Sequence, residues 1–85
     1  MTHTLRIEID DEVLSALQKS PEEMAAEIRL AAAAKWYELG AISQEKAAQM
    51  AGLSRSSFLE ALGRFQVSPF QETAAEIARA VGDLR

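Results

Sequence analysis

Residues 43–65 read Ser-Gln-Glu-Lys-Ala-Ala-Gln-Met-Ala-Gly-Leu-Ser-Arg-Ser-Ser-Phe-Leu-Glu-Ala-Leu-Gly-Arg-Phe, and this stretch decides the fold. Ser43 can cap a first helix, because its hydroxyl oxygen can accept a hydrogen bond from an unpaired backbone N–H group there. Gly52 can end that helix, since glycine enters the left-handed conformation at little steric cost. Ser54 can cap a second helix directly afterwards. The stretch therefore predicts two short helices joined by a tight turn.

So short a turn brings the two helices close together, and the residues at the inner corner must then be small or apolar. Ala48, Gly52, Leu53 and Phe58 occupy those corner positions. The pattern is typical of a helix-turn-helix, whose second helix can enter the major groove of DNA. A plain pair of antiparallel helices also uses glycine turns and alanine contacts, and it remains the alternative.

Residues 4–10 alternate between apolar and polar side chains, with Leu5, Ile7 and Ile9 on one face. This alternation predicts a short, half-buried β-strand at the N-terminus. The chain has no second strand of comparable length, and the strand's backbone groups need a hydrogen-bonding partner. We therefore expect the strand to pair with the same strand of another copy, which predicts a homodimer. A strand lying along the helices, or a frayed arm, is the alternative.

Helix signals fill the rest of the chain. Asp10 or Asp11 can cap a short helix, and Ser20 with Pro21 opens a long helix that ends near Gly40. The predicted fold class is mainly α, with the N-terminal strand followed by about five helices. The single predicted domain divides into a strand arm at 1–10, a helical dimerisation region at 11–42, a helix-turn-helix at 43–66 and a C-terminal helix at 67–85.

Composition argues against several classes of protein. The chain has 85 residues, no cysteine and one histidine, so we expect no disulfide, no metal and no cofactor. A domain of this size buries only about 60% of its unfolded surface, which favours oligomerisation. No long apolar stretch and no basic leader are apparent, so we expect a cytoplasmic protein that does not contact a membrane. No glycine-rich phosphate loop appears and the serines have no evident base, so we expect neither an enzyme nor a small-molecule substrate.

The distribution of charge matters more than the net charge of −4. Residues 1–30 hold three cations and seven carboxylates, a local charge of −4. Residues 43–66 hold three cations and two carboxylates, a local charge of +1. This segment is not a basic patch, and few phosphate contacts mean weak binding by one copy. Useful affinity for DNA would require two copies or more.

Five residues are the candidates for contact with double-stranded DNA: Gln44, Ser54, Arg55, Ser56 and Leu59. Gln44 begins the first helix, where its side chain and the helix dipole can both serve a phosphate. Arg55 can make two hydrogen bonds to guanine, the serines can bind base or phosphate, and Leu59 can meet a thymine methyl group. An ordinary solvated face explains the same residues. Reading by the strand, through Arg6 and Glu8, is a less favourable DNA-binding mode because of its acidic neighbours.

Three segments carry a family resemblance: residues 30–43, residues 46–62 and residues 67–71. They resemble short prokaryotic proteins of an uncharacterised, UPF-type family of antitoxins, and the likeness spans nearly the whole chain. Its most recognisable parts are the Gly-Ala-Ile-Ser before the corner and the Ala-Gly-Leu-Ser turn. The resemblance implies a helix-turn-helix protein that pairs with a nuclease-like toxin of the PIN type.

Two functions from different classes follow. The first is a homodimeric DNA-binding regulator that serves as the antitoxin of a toxin–antitoxin pair, with the helix at about residues 54–64 reading DNA. The second is a protein-interaction module that binds and neutralises a partner through its C-terminal helix without touching DNA. The acidic surface suits a basic partner such as a nuclease.

Overall fold

Four α-helices follow one another in the computed structural model, which describes residues 1–70. They are α1 (Asp11–Leu17), α2 (Pro21–Glu38), α3 (Gln44–Ala51) and α4 (Arg55–Leu62). A single 3₁₀ turn, Gly63–Phe65, follows α4. None of the helices in this part of the chain is long and apolar enough to cross a membrane.

The predicted N-terminal strand is wrong. Residues 1–10 form no regular secondary structure, and no β-strand occurs anywhere in residues 1–70. Leu5 and Ile7 are 82% and 60% exposed, while Ile9 is half-buried. Alternation of apolar side chains is compatible with a strand but does not create one, because a strand also needs an extended neighbour for its backbone groups. The described chain supplies no such neighbour.

The expected number of helices is also wrong for the described residues, which contain four α-helices rather than about five. The C-terminal helix predicted for 67–85 lies outside them from residue 71 onward. Residues 67–70, which are described, form no helix. The mainly helical character and the separate helices on either side of Gly52 are confirmed.

The predicted start of α2 is confirmed. The Ser20 hydroxyl accepts a hydrogen bond from the Glu23 backbone N–H at 3.2 Å, and the Glu23 carboxylate accepts one from the Ser20 N–H at 3.2 Å. Pro21 lies in the first turn, where its missing N–H costs nothing. The hydrogen bond from the Ser20 N–H lowers the pKa of Glu23. These contacts fix the point at which the longest helix of the described chain begins.

The hydrophobic core lies where α2, α3 and α4 meet. Alanines of α2 and α3 are buried there, which lets the two helices approach closely. Phe58 and Leu62 of α4 are the largest fully buried side chains, and the Tyr37 ring meets the Phe58 ring edge to face at 6.0 Å. The buried members of this cluster are Leu30, Ala33, Ala34, Tyr37, Ala47, Ala48, Phe58, Leu62 and Val67.

Helix α1 lies at the edge of this core and has no buried residue. Val13 and Leu17 are exposed, as are Leu5 and Ile7 in the preceding segment. A groove of about 550 Å³ separates residues 5–14 from the side of α2 that carries Met24 and Ile28. The protein therefore has a packed side formed by α2 to α4 and an apolar side that the described chain leaves open.

Phe58→Ala tests the packing of α4. Because the ring is fully buried against Tyr37, its loss should lower the free energy of unfolding by about 3–5 kcal/mol. Chemical denaturation followed by circular dichroism measures the change. Phe70→Ala is the matched control, since Phe70 is 89% exposed and its loss should change stability little. Equal stability of the Phe58 variant and the wild type would contradict the packing described.

Candidate nucleic-acid interface

Gly52 ends α3 as its sequence position predicts. Its φ of +72° lies in the left-handed region, and the next residue, Leu53, donates its backbone N–H to the Ala48 carbonyl oxygen at 3.0 Å. Ala48 and Phe58, two of the four candidate corner residues, are buried. Leu53, another candidate corner residue, is 37% exposed. The buried contacts of the corner therefore come from α3 and α4, while Leu53 in the turn itself is exposed to solvent.

A cation from α2 secures this turn. The Arg29 Nε donates a hydrogen bond to the Met50 carbonyl oxygen at 2.8 Å, in the last turn of α3. Its guanidinium group lies beside Gly52, where an added Cβ would come within 3.3 Å of Nη2. A positive charge at this end of a helix is favourable because the last carbonyl groups carry partial negative charge. Arg29 thus ties the corner to the central helix.

The first turn of α4 projects from the corner into solvent. Ser54 caps the helix as predicted, since its hydroxyl accepts the Ser57 backbone N–H at 3.2 Å. The same hydroxyl lies 2.9 Å from the Ser57 hydroxyl and 3.4 Å from that of Ser56. All four residues from Ser54 to Ser57 are exposed. This turn therefore offers hydroxyl and guanidinium groups that can bond to base edges or phosphates.

Two candidate residues come together at the surface. The Arg55 Nε donates a hydrogen bond of 2.6 Å to the Gln44 side-chain oxygen. The Gln44 Nε2 donates to the Tyr37 hydroxyl at 3.1 Å and to the Pro69 carbonyl oxygen at 3.2 Å. Gln44 is half-buried. Its amide is therefore engaged within the protein, which does not favour the direct phosphate contact expected from its place at the helix start.

Leu59 is the candidate least available to a ligand. It is half-buried and packs against the hydrophobic core, while Ser54, Arg55 and Ser56 are exposed. Only the exposed part of its side chain could meet a thymine methyl group. The candidate surface therefore consists chiefly of the first turn of α4.

The charge of this surface is close to neutral. Arg64 is engaged elsewhere, since its Nη2 donates to both carboxylate oxygens of Glu27 at 2.9 and 3.1 Å. The cations left on residues 43–66 are Lys46 and Arg55, and the exposed carboxylates are Glu45 and Glu60. Within residues 1–70, no carboxylate forms an ion pair with Arg55. Arg55 is thus the cation best placed to meet an acidic ligand.

Sequence reasoning missed two of the residues that build this surface. Arg29 and Pro69 are distant in sequence from the residues they contact, by 21 and 25 positions, so no local pattern indicates them. The hydrogen bond between Gln44 and Arg55 did have a local signal. Each of these residues is the first residue of a helix and directly follows a serine cap. Metal ligands are a separate matter: no cluster of three or more metal-ligating side chains occurs in the described chain.

Comparison with known proteins identifies the family. A profile of an uncharacterised protein family (UPF0175) matches residues 1–85, and the chain belongs to this family. No curated protein and no solved structure shows significant similarity to the chain. The match confirms that the chain belongs to an uncharacterised family, as the sequence resemblance implied. It adds no known activity.

Two glycine substitutions test how the corner is held. Gly52→Ala should destabilise the protein by about 1–2 kcal/mol, because alanine is strained at a left-handed φ and its Cβ would press on Arg29. Gly63→Ala is the matched control. Gly63 has a helical φ of −59° and open space around it, so alanine there should stabilise the protein by about 0.4–1 kcal/mol. Denaturant midpoints that move in the same direction for both variants would contradict this geometry.

Proposed function

We propose that this member of the UPF0175 family is a DNA-binding regulator that reads duplex DNA with the first turn of α4. The observation that carries the proposal is the orientation of α4. Its Phe58 and Leu62 are fully buried against α2 and α3, while Ser54 to Ser57 project into solvent. A recognition helix needs this division, since it must be anchored on one side and present its N-terminal residues to base edges on the other.

The residues of the turn have distinct roles in the proposal. Arg55 makes the base-specific contact, because a guanidinium group can bond to both acceptors on the major-groove edge of guanine. Ser54 and Ser56 bond to neighbouring bases or phosphates through their hydroxyl groups. The exposed part of Leu59 contacts a thymine methyl group. Gln44 contributes through the hydrogen bond that its side-chain oxygen accepts from Arg55.

The protein acts on DNA as a homodimer in this proposal. One copy presents few free cations on residues 43–66, and two copies bound to adjacent half-sites gain affinity together. The apolar side formed by residues 5–17 supports this, since Leu5, Ile7, Val13 and Leu17 are exposed. If a second copy covers these side chains, their removal from water lowers the free energy of the dimer.

The biological role proposed for the regulator is that of an antitoxin paired with a nuclease-like, PIN-type toxin. The net charge of −4 supports a basic protein partner, because opposite charges favour association. The C-terminal helix predicted for 67–85 is the expected site of this contact, and most of it lies outside the described residues. A protein-interaction module that neutralises such a partner without binding DNA is the second candidate, favoured by the same acidic charge.

Duplex enrichment separates the two functions. Purified protein should enrich a palindromic sequence from a random duplex library, with half-sites about one helical turn apart. Binding to the enriched duplex should weaken steeply as salt concentration rises, because phosphate contacts release counterions. Failure to enrich any sequence, with weak binding that does not depend on salt, would contradict DNA reading and leave the interaction module. An enriched site without two-fold symmetry would contradict the homodimer.

Arg55→Ala tests the assigned contact. Loss of the guanidinium group should weaken binding to the enriched duplex by about 1–3 kcal/mol and relax the preference at one base position of each half-site. The fold should be unchanged, because Arg55 is exposed. Lys46→Ala is the matched control, as it removes one exposed positive charge from the same segment, residues 43–66. Equal losses in the two variants would mean that Arg55 contributes charge alone.

A further inference from the structure

Gln44 links the protein core to the proposed DNA-reading residue. A glutamine side chain has two N–H donors and one carbonyl acceptor. The Gln44 Nε2 donates to the Tyr37 hydroxyl oxygen and to the Pro69 carbonyl oxygen, and the Gln44 side-chain carbonyl accepts the Arg55 Nε–H at 2.6 Å. The nitrogen side of the amide is therefore directed at the protein, and its oxygen side at Arg55. This arrangement favours an effect on ligands through Arg55.

The other end of this chain of hydrogen bonds is anchored in the hydrophobic core. The Tyr37 hydroxyl donates to the Pro69 carbonyl oxygen at 2.6 Å, so Tyr37, Pro69 and Gln44 close a triangle. Tyr37 is only 7% exposed, and its ring packs against the buried Phe58 ring. The position of the Gln44 amide is thus set by the core. It does not depend on the solvated surface of α3.

The hydrogen bond to Gln44 determines which part of Arg55 faces outward. Arginine carries five N–H donors in a planar fork, and the bond to Gln44 uses the one on Nε. The two terminal nitrogens keep four N–H groups for a ligand. Because the guanidinium plane is held before binding, less side-chain freedom is lost when it meets a planar acceptor pair.

We propose that Gln44 is a positioning residue for DNA reading, which orients the Arg55 guanidinium toward guanine and is itself held by Tyr37 and Pro69. The inference rests on the proposed function, because it concerns the orientation of Arg55, the residue proposed to contact the base. It replaces the phosphate contact expected from the sequence at Gln44. Tyr37 is too deeply buried to reach DNA, but through its hydrogen bond to Gln44 it contributes to the DNA-sequence preference.

Duplex binding by paired variants tests this role. Gln44→Ala should weaken binding to the enriched duplex by about five- to tenfold, and by less than about twofold when Arg55 is already alanine. Tyr37→Phe removes only the hydroxyl and keeps the ring against Phe58, so the fold should be retained. It should weaken enriched-duplex binding about two- to threefold, again only when Arg55 is present. Gln49→Ala is the matched control on α3, since Gln49 is exposed, and it should bind as the wild type does.

A second readout requires no DNA. In ¹⁵N-labelled protein, the Arg55 Nε–H signal should exchange slowly with water in the wild type and rapidly in Gln44→Ala. Equal losses of affinity with and without Arg55, or an Arg55 signal that Gln44→Ala leaves unchanged, would overturn the positioning role while DNA reading stands. Failure of the wild type to enrich any duplex would overturn both.

Discussion

The burial of one aromatic ring is the constraint on which the rest of this structure depends. Phe58 is fully buried where α2, α3 and α4 meet, with the Tyr37 ring against it. The tight turn between α3 and α4 lets both helices contribute, together with α2, to the cluster that removes this ring from water. Gly52 permits that turn, and Arg29 holds its carbonyl end. The exposed first turn of α4 is a consequence of this packing.

Tyr37 joins the core to the proposed function. Its ring belongs to the packed cluster, whereas its hydroxyl binds Gln44 and Pro69, and Gln44 in turn holds Arg55. An exposed arginine side chain is normally long and mobile, and here Arg55 is connected to the buried Tyr37 by two successive hydrogen bonds. Stability and sequence preference are therefore linked in this account. Changes in the packing around Phe58 should therefore alter the orientation of Arg55 in the first turn of α4.

Local signals in the sequence were sufficient for the helices and insufficient for what depends on distant contacts. Ser54 and Gly52 act on their immediate neighbours, so the start of α4 and the end of α3 could be predicted from them. The strand at 4–10 could not, because its alternation specifies a face but not the partner that a strand requires. The structural role of Gln44 was also beyond prediction. It depends on Pro69, 25 residues away, which comes back to α3 only after the chain has passed through α4 and the 3₁₀ turn.

The central claim is that the packing around Phe58 presents the first turn of α4 to DNA. Nuclear magnetic resonance of ¹⁵N-labelled protein titrated with its enriched duplex tests this most directly. The account predicts that the largest changes in backbone amide signals fall on residues 54–59, while those of the buried Ala33 and Ala34 stay in place. Changes confined to residues 1–17, with residues 54–59 unaffected, would contradict it.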